Sequence, residues 1–219
     1  MSRPAALATS TRPAPLEAWT GSFGDAYVER NVHAPWKLRP GVTAFQRMLP
    51  QRGVRSILEV GSNIGLNLRY LRALRPQAKL FAVEPNAKAF AQLTRNVRLK
   101  LAGAWQADAF ELPLADRSVD LVFTCGVLIH IPPDDLGRAT DELVRVARRY
   151  VLCMEYFSHA PVDVPYRGQA GLLFKRDFGA FYADRFPRLR CVAYGFLWQR
   201  ELPAFDNLTW WLFKKTWRP

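Results

Sequence analysis

Cysteine is scarce in this chain. Three residues in 219, Cys125, Cys153 and Cys191, are odd in number and show no CxxC or Cys/His spacing. That excludes a disulfide framework and a cysteine-based metal site, so no metal is expected, and it points to a reducing compartment, the cytoplasm. No apolar run approaches the roughly 18 residues of a membrane span, so no membrane partner is expected. The first fifteen residues carry Arg3 and Arg12 but lack the apolar stretch of a secretory signal, and they read as a disordered tail. Acidic residues are few, 19 against 31 Lys and Arg, which leaves a formal charge of +12. Such a charge raises the question of a nucleic-acid partner. The basic residues are spread along the whole chain, however, with no run of five and no stacking motif of an RNA-binding module. They read as a solvated surface, and a small molecule is the expected partner.

What is present is ordinary for one globular domain: 49% hydrophobic and 23% charged residues. Trp19, Phe23, Tyr27 and Arg30 recur at spacings of four, four and three, one face of a helix over residues 16–30. A second helix over 42–49 completes a helical cap, residues 16–52. From there strands and helices alternate. Strands are predicted at 56–60, 79–83, 104–107, 119–124 and 149–154, with helices at 65–75, 86–98 and 134–148. Asn86 is the expected cap of the middle one. Alternation of this kind implies a parallel sheet covered on both faces. The end differs: a helix over 174–186, then two strands, 190–198 and 208–213, joined only by a loop. A hairpin closing an otherwise parallel sheet predicts an α/β fold of seven strands over residues 53–219.

The strand Ile57-Leu58-Glu59-Val60 runs into Gly61-Ser62-Asn63-Ile64-Gly65 and then a helix. Glycines at such a turn let backbone approach a ligand in the crevice where open α/β sheets bind. The spacing is neither the GxGxxG of dinucleotide enzymes nor a P-loop, which would need a lysine. Glu84, followed by Pro85, ends the second strand, where a carboxylate can accept hydrogen bonds from both hydroxyls of a ribose. Asp108, followed by Ala109, ends the third and could accept from an adenine amino group or simply start a turn. Cys125 ends the fourth strand.

Together these residues resemble the S-adenosylmethionine (SAM) site of the class I methyltransferases, whose sheet has the seven-stranded, Rossmann-like form predicted here. Asn63 stands where many members have glycine, and asparagine tolerates left-handed backbone. A closer resemblance covers nearly the whole chain. FGDAYVERN (residues 23–31), GSNIGLNL (61–68), GVLIHI (126–131), VPYRG (164–168) and LFKRDF (173–178) are similar to the methylase family found with pseudaminic acid biosynthesis. The same resemblance takes in azetidine-2-carboxylate synthases, which use SAM as their only substrate. Cys125, Phe157, Ser158-His159 and Gln169 depart from the methylase pattern close to the expected reaction centre.

The resemblance implies SAM as cosubstrate or sole substrate, bound by Glu59, Gly61, Asn63, Gly65, Glu84, Pro85, Asp108, Ala109 and Cys125, with Arg30 on its carboxylate. Tyr27, His130, Glu155, Tyr156 and Tyr166 are the catalytic candidates. Glu155 or His130 would act as base, and the tyrosines would surround a sulfonium, which ring faces attract by about 0.5–2 kcal/mol. A satisfied core histidine is the competing account of His130, and a plain turn that of Tyr166. Cyclisation of SAM to azetidine-2-carboxylate is the leading expectation. Methyl transfer to a small molecule such as a nonulosonic-acid sugar is the alternative. RNA methylation is remote, because no Asn-Pro-Pro-Tyr-type motif occurs.

Overall fold

The computed structural model describes residues 14–216. Among the described residues nine strands and seven α-helices follow in chain order: α1 (Ala14–Thr20), α2 (Ser22–Arg30), α3 (Leu38–Met48), β1 (Ser56–Val60), α4 (Leu66–Leu74), β2 (Lys79–Val83), α5 (Ala87–Arg95), β3 (Gly103–Trp105), β4 (Val119–Cys125), α6 (Pro133–Val146), β5 (Ala147–Glu155), β6 (Val162–Asp163), β7 (Phe174–Lys175), α7 (Phe178–Arg185), β8 (Leu189–Leu197) and β9 (Leu208–Lys215). Seven strands form one sheet in the order β3-β2-β1-β4-β5-β9-β8. The first five are mutually parallel, and β9 runs antiparallel to both β5 and β8. The predicted α/β sheet with a terminal hairpin is therefore observed.

The central strands are apolar along their whole length because both faces are covered, as parallel sheets require. One face buries Ile57, Leu80, Phe123 and Leu152 against Phe45 of α3 and Leu68 and Leu71 of α4. The other buries Leu58, Val60, Val122 and Val151 against Leu143 of α6 and Tyr182 of α7. Each fully buried Leu or Phe contributes about 1.5–3 kcal/mol by leaving water. At the far end of the sheet, the buried carboxylate of Asp120 accepts from the Arg55 and Ser56 amides at 2.9 and 3.1 Å, and from Arg148. It ties the starts of β1, β4 and β5 together, away from the crevice.

Two expectations need correction, and a third is largely untested. The single helix over 16–30 is two helices, broken at Gly21, whose extended backbone (φ −100°, ψ −156°) cannot continue a helix. The expected tail over 1–15 lies outside the described residues except for Ala14 and Pro15, which open α1. The helix expected over 174–186 begins only at Phe178, because the Asp177 carboxylate caps it through the Ala180 amide at 2.8 Å. Phe174 pairs instead with Asp163, in the two-stranded β6–β7 ribbon.

Among the described residues no helix is long and apolar enough to cross a membrane, and no group of His, Cys, Asp and Glu could hold a metal ion.

Candidate active site

Sheet order reverses at β1, whose neighbours β2 and β4 are both reached by crossovers, and a crevice opens at the carboxyl ends of these strands. The turn after β1 lines it. Gly61 and Gly65 have φ of +77° and +80°, and Asn63 takes the left-handed region at +46°. A Cβ on Gly61 would stand 2.4 Å from a Val127 methyl group, so only glycine fits there. Gly65 starts α4 and does not reach the cavity wall, so the structure assigns it to the turn rather than to contact.

Glu84 holds the turn. Its carboxylate accepts from the Asn63 amide at 2.6 Å and the Asn86 amide at 2.8 Å. Burial pushes its pKa up to about 7, against the pull of those two N–H groups. Glu59 is buried as well and accepts from the Asn67 side chain at 2.7 Å, while its second oxygen has no partner. Burial, first of all, raises its pKa well above the usual carboxylate range. Asp108 accepts from the Phe110 amide at 2.9 Å, the turn geometry weighed above, and still lines the cavity with Ala109.

The helical cap closes the crevice from above. Asn86 caps α5 by accepting from the Ala89 amide at 2.8 Å, and its amide group donates to the Trp19 carbonyl and the Asp25 carboxylate at 3.1 and 2.9 Å. One side chain therefore starts a core helix and pins the cap to it. Val28 of α2 is buried with Ile64 and Ala89. Despite the break at Gly21, Trp19 meets Phe23 and Tyr27 edge-on, with centroids 5.1 and 5.2 Å apart, and reaches His130 at 4.4 Å and Tyr166 at 6.4 Å.

The cavity beneath measures about 510 Å³, within the range of small-molecule sites. Of the residues picked out by sequence, Tyr27, Arg30, Glu59, Gly61, Asn63, Glu84, Pro85, Asp108, Ala109, Cys125, His130, Tyr156 and Tyr166 share its wall.

Glu155 does not, and its expected place as a base facing the cavity is corrected. Its carboxylate is fully buried and accepts from the Thr124 hydroxyl at 2.9 Å and from the Val127, Leu128 and Ile129 amides at 3.1–3.3 Å. It caps the 3-10 turn Leu128–His130. His130 faces the cavity while its Nδ1 lies 2.6 Å from the Leu172 carbonyl. A carbonyl can only accept, so Nδ1 carries the proton and Nε2 keeps a lone pair. Burial lowers its pKa to about 4, so the ring is neutral near pH 7.

Two participants escaped the sequence reading. Asp206, on the loop between β8 and β9, lines the cavity and accepts from the Tyr156 hydroxyl at 2.7 Å. Trp19 was legible as part of a helix face but not as the centre of an aromatic roof. Trp19 Nε1, Glu59 Oε2 and Asn63 Oδ1 are buried polar atoms without partners, and all three residues line this cavity. Unsatisfied groups gathered at one cavity are what a polar ligand would complete.

Comparison with known proteins agrees with the topology. A family profile for a methyltransferase domain matches residues 58–154. A solved SAM-dependent methyltransferase from Aquifex aeolicus aligns over 87% of this chain and 98% of its own, at 15% identity and a TM-score of 0.64. This is the class I methyltransferase fold. The Burkholderia thailandensis 1,6-didemethyltoxoflavin-N1-methyltransferase, solved with 1,6-didemethyltoxoflavin and S-adenosylhomocysteine, aligns over 94% of this chain and 92% of its own, at 16% identity and a TM-score of 0.68. The [4+2]-cyclase SpnF aligns over 81% of this chain and 80% of its own, at 16% identity and a TM-score of 0.61. No curated protein matches the sequence.

Proposed function

We propose that this chain is a SAM-using enzyme of small-molecule chemistry, and that its reaction is closure of SAM on itself to azetidine-2-carboxylate with release of 5′-methylthioadenosine. The observation that carries the reading is the composition of the chamber beyond the strand ends. Tyr27, Tyr156 and Tyr166 wall it with Trp19 and His130, and Asp206 is the carboxylate held by a phenol at its edge. Aromatic faces suit a sulfonium. The resemblance of residues 23–31, 126–131, 164–168 and 173–178 to a methylase family that takes in azetidine-2-carboxylate synthases is compatible with the same reading, and SpnF is a cyclase on this fold.

On this reading Glu84 accepts the ribose hydroxyls, Asp108 accepts from the adenine amino group, and Arg30 at the rim meets the carboxylate. His130 Nε2 or Asp206 takes one proton from the ammonium. The freed nitrogen bonds to the γ-carbon, the carbon–sulfur bond breaks, and its electron pair stays on sulfur as a neutral thioether. The ring nitrogen keeps its two protons as a secondary ammonium. The protein's task is to hold the arm curled and exclude water.

Methyl transfer to a small acceptor is the second reading. The cavity wall continues from Tyr156 to Gln199 and Pro203, and Arg167 stands beside it, which leaves space for an acceptor. The 1,6-didemethyltoxoflavin-N1-methyltransferase neighbour holds such a molecule. The decisive experiment is mass spectrometry after incubation with SAM alone, with Glu84→Ala as control. Enriched methylthioadenosine and azetidine-2-carboxylate are expected. Their absence, with S-adenosylhomocysteine formed once an amine or sugar acceptor is supplied, would replace ring closure by methyl transfer.

A further inference from the structure

The seven-stranded sheet ends in β8, which has β9 on one side and, among the described residues, no strand on the other. Alternate residues along its end stand out into solvent: Tyr194 is 76% exposed, Phe196 58% and Trp198 53%, and Val192, at the bulge between Cys191 and Ala193, is 45% exposed. The intervening Ala193 and Leu197 turn to the opposite face and join the core there. On the exposed side Tyr194 pairs with Trp211 of β9, whose ring lies 6.4 Å from that of Phe157, itself 37% exposed. The result is an apolar stripe beside an unpaired row of backbone donors and acceptors, the feature soluble proteins ordinarily blunt with charge. Residues 191–198 carry none, and the exposed Arg190 and Arg200 stand only at the two ends of the stripe.

We propose that this edge is where two copies of the chain pair, β8 against β8 in antiparallel sense across a two-fold axis. Centred on Phe196, the pairing sets Phe196 opposite itself and Tyr194 of each copy opposite Trp198 of the other, a ladder of aromatic cross-strand pairs. The four exposed side chains present about 500 Å² per copy, at the upper end of the largest patch on a typical monomer. Pairing covers the facing flanks of these side chains, and the backbone rows and neighbouring residues must supply the rest of the roughly 1,000 Å² that a specific interface needs. Charge selects the occupant. The chain carries +12, but copies meeting along 191–198 touch through an uncharged segment. An acidic partner would find cations only at its two ends, the exposed Arg190 and Arg200, and none along the aromatic stripe. The pairing also braces the site, because Gln199, Pro203 and Asp206, on the loop that leaves β8, line the cavity.

Sedimentation velocity of the full chain tests this, between about 1 and 100 µM in buffered saline, because association follows concentration. A species of twice 25.0 kDa is expected, with a dissociation constant of about 10 µM or below. Phe196→Glu sets two carboxylates face to face on the axis, and it should weaken association at least about 100-fold. Since Phe196 is solvent-exposed, its far-ultraviolet circular dichroism and melting temperature should match the wild type. A wild-type chain that stays at 25.0 kDa throughout would overturn the proposal. So would a folded Phe196→Glu variant that still dimerises, since the contact would then lie elsewhere.

Discussion

Glu84 sits between opposed influences in the ligand-free chain. Burial drives its carboxyl toward the neutral form, two backbone N–H groups favour the ion, and the outcome is a pKa of about 7. A ribose diol donates hydrogen bonds and needs the ion, so nucleoside binding should release a proton wherever the free site is protonated. The ligand to use is 5′-methylthioadenosine, which carries ribose and adenine without the titrating amine and carboxylate of SAM. Its dissociation constant should rise about tenfold from pH 8 to pH 6, one decade for the unit below the pKa. Calorimetry at pH 6, in two buffers of different ionisation enthalpy, should report close to one proton released. Glu84→Gln should bind about 1–3 kcal/mol more weakly at pH 8, because an amide cannot accept from both backbone donors and the diol together, and it should show no such slope. The variant carries the attribution, since Glu155 also titrates near 7. His130, near 4, lies outside the window. A flat wild-type profile, or a slope that survives in Glu84→Gln, would refute the assignment of β2 to the ribose.

Glu155→Ala leaves the Thr124 hydroxyl and three amides without their acceptor; a loss of about 3 kcal/mol or more by chemical denaturation is expected. Glu155→Gln should keep turnover per folded molecule, because the residue faces away from the cavity. Its folded pKa of about 7 lies above its ordinary 4.5, so the native state holds the proton more tightly. The stabilisation is complete below pH 4.5, and about 3 kcal/mol is lost as pH rises to 7; in Glu155→Gln that part of the pH dependence should vanish. Gly24→Ala would place a Cβ 1.8 Å from the Trp19 carbonyl oxygen and 2.9 Å from the Asn86 amide. It should displace the cap, weakening SAM binding at least about tenfold by calorimetry while the core melts nearly unchanged.

The central sheet was legible because its strands are buried on both faces and punctuated by glycine, asparagine and proline. Ile57–Val60 and Leu121–Phe123 admit little else. The glycine turn and Glu84 were legible for the same reason, being fixed to strand ends. Glu155 was not. A carboxylate that ends a strand can face the crevice or turn inward to cap a neighbouring turn, and the amides that decide it belong to residues 127–129, brought in by the β4–β5 pairing. Asp206 lacked any signal, because its loop acquires a place in the wall only when β9 inserts between β5 and β8. The helix over-extended to residue 174 shows a local rule outweighed by another: the apolar spacing continued, but Asp177 made a better cap than an interior residue.

How the chamber handles charge bears on which nucleophile it serves. SAM brings a positive sulfur. If a neutral nitrogen attacks, that charge is relocated within the chamber, from sulfur to nitrogen. If a deprotonated oxygen attacks, it is annihilated. Ring faces and a carboxylate stabilise the first course in its transition state, because the developing ammonium remains among them. In the second course the same groups favour the charged ground state over a neutralising transition state, and they slow the step. Tyr27, Tyr156, Tyr166 and Asp206 form an aromatic wall with one phenol-bound carboxylate. The neutral His130 adds a lone pair without adding positive charge. On the reading proposed above, this composition favours a nitrogen nucleophile. Ring closure of SAM supplies that nitrogen from the substrate itself, already tethered near the carbon it attacks, so the tether replaces the entropy that a separate acceptor would have to lose.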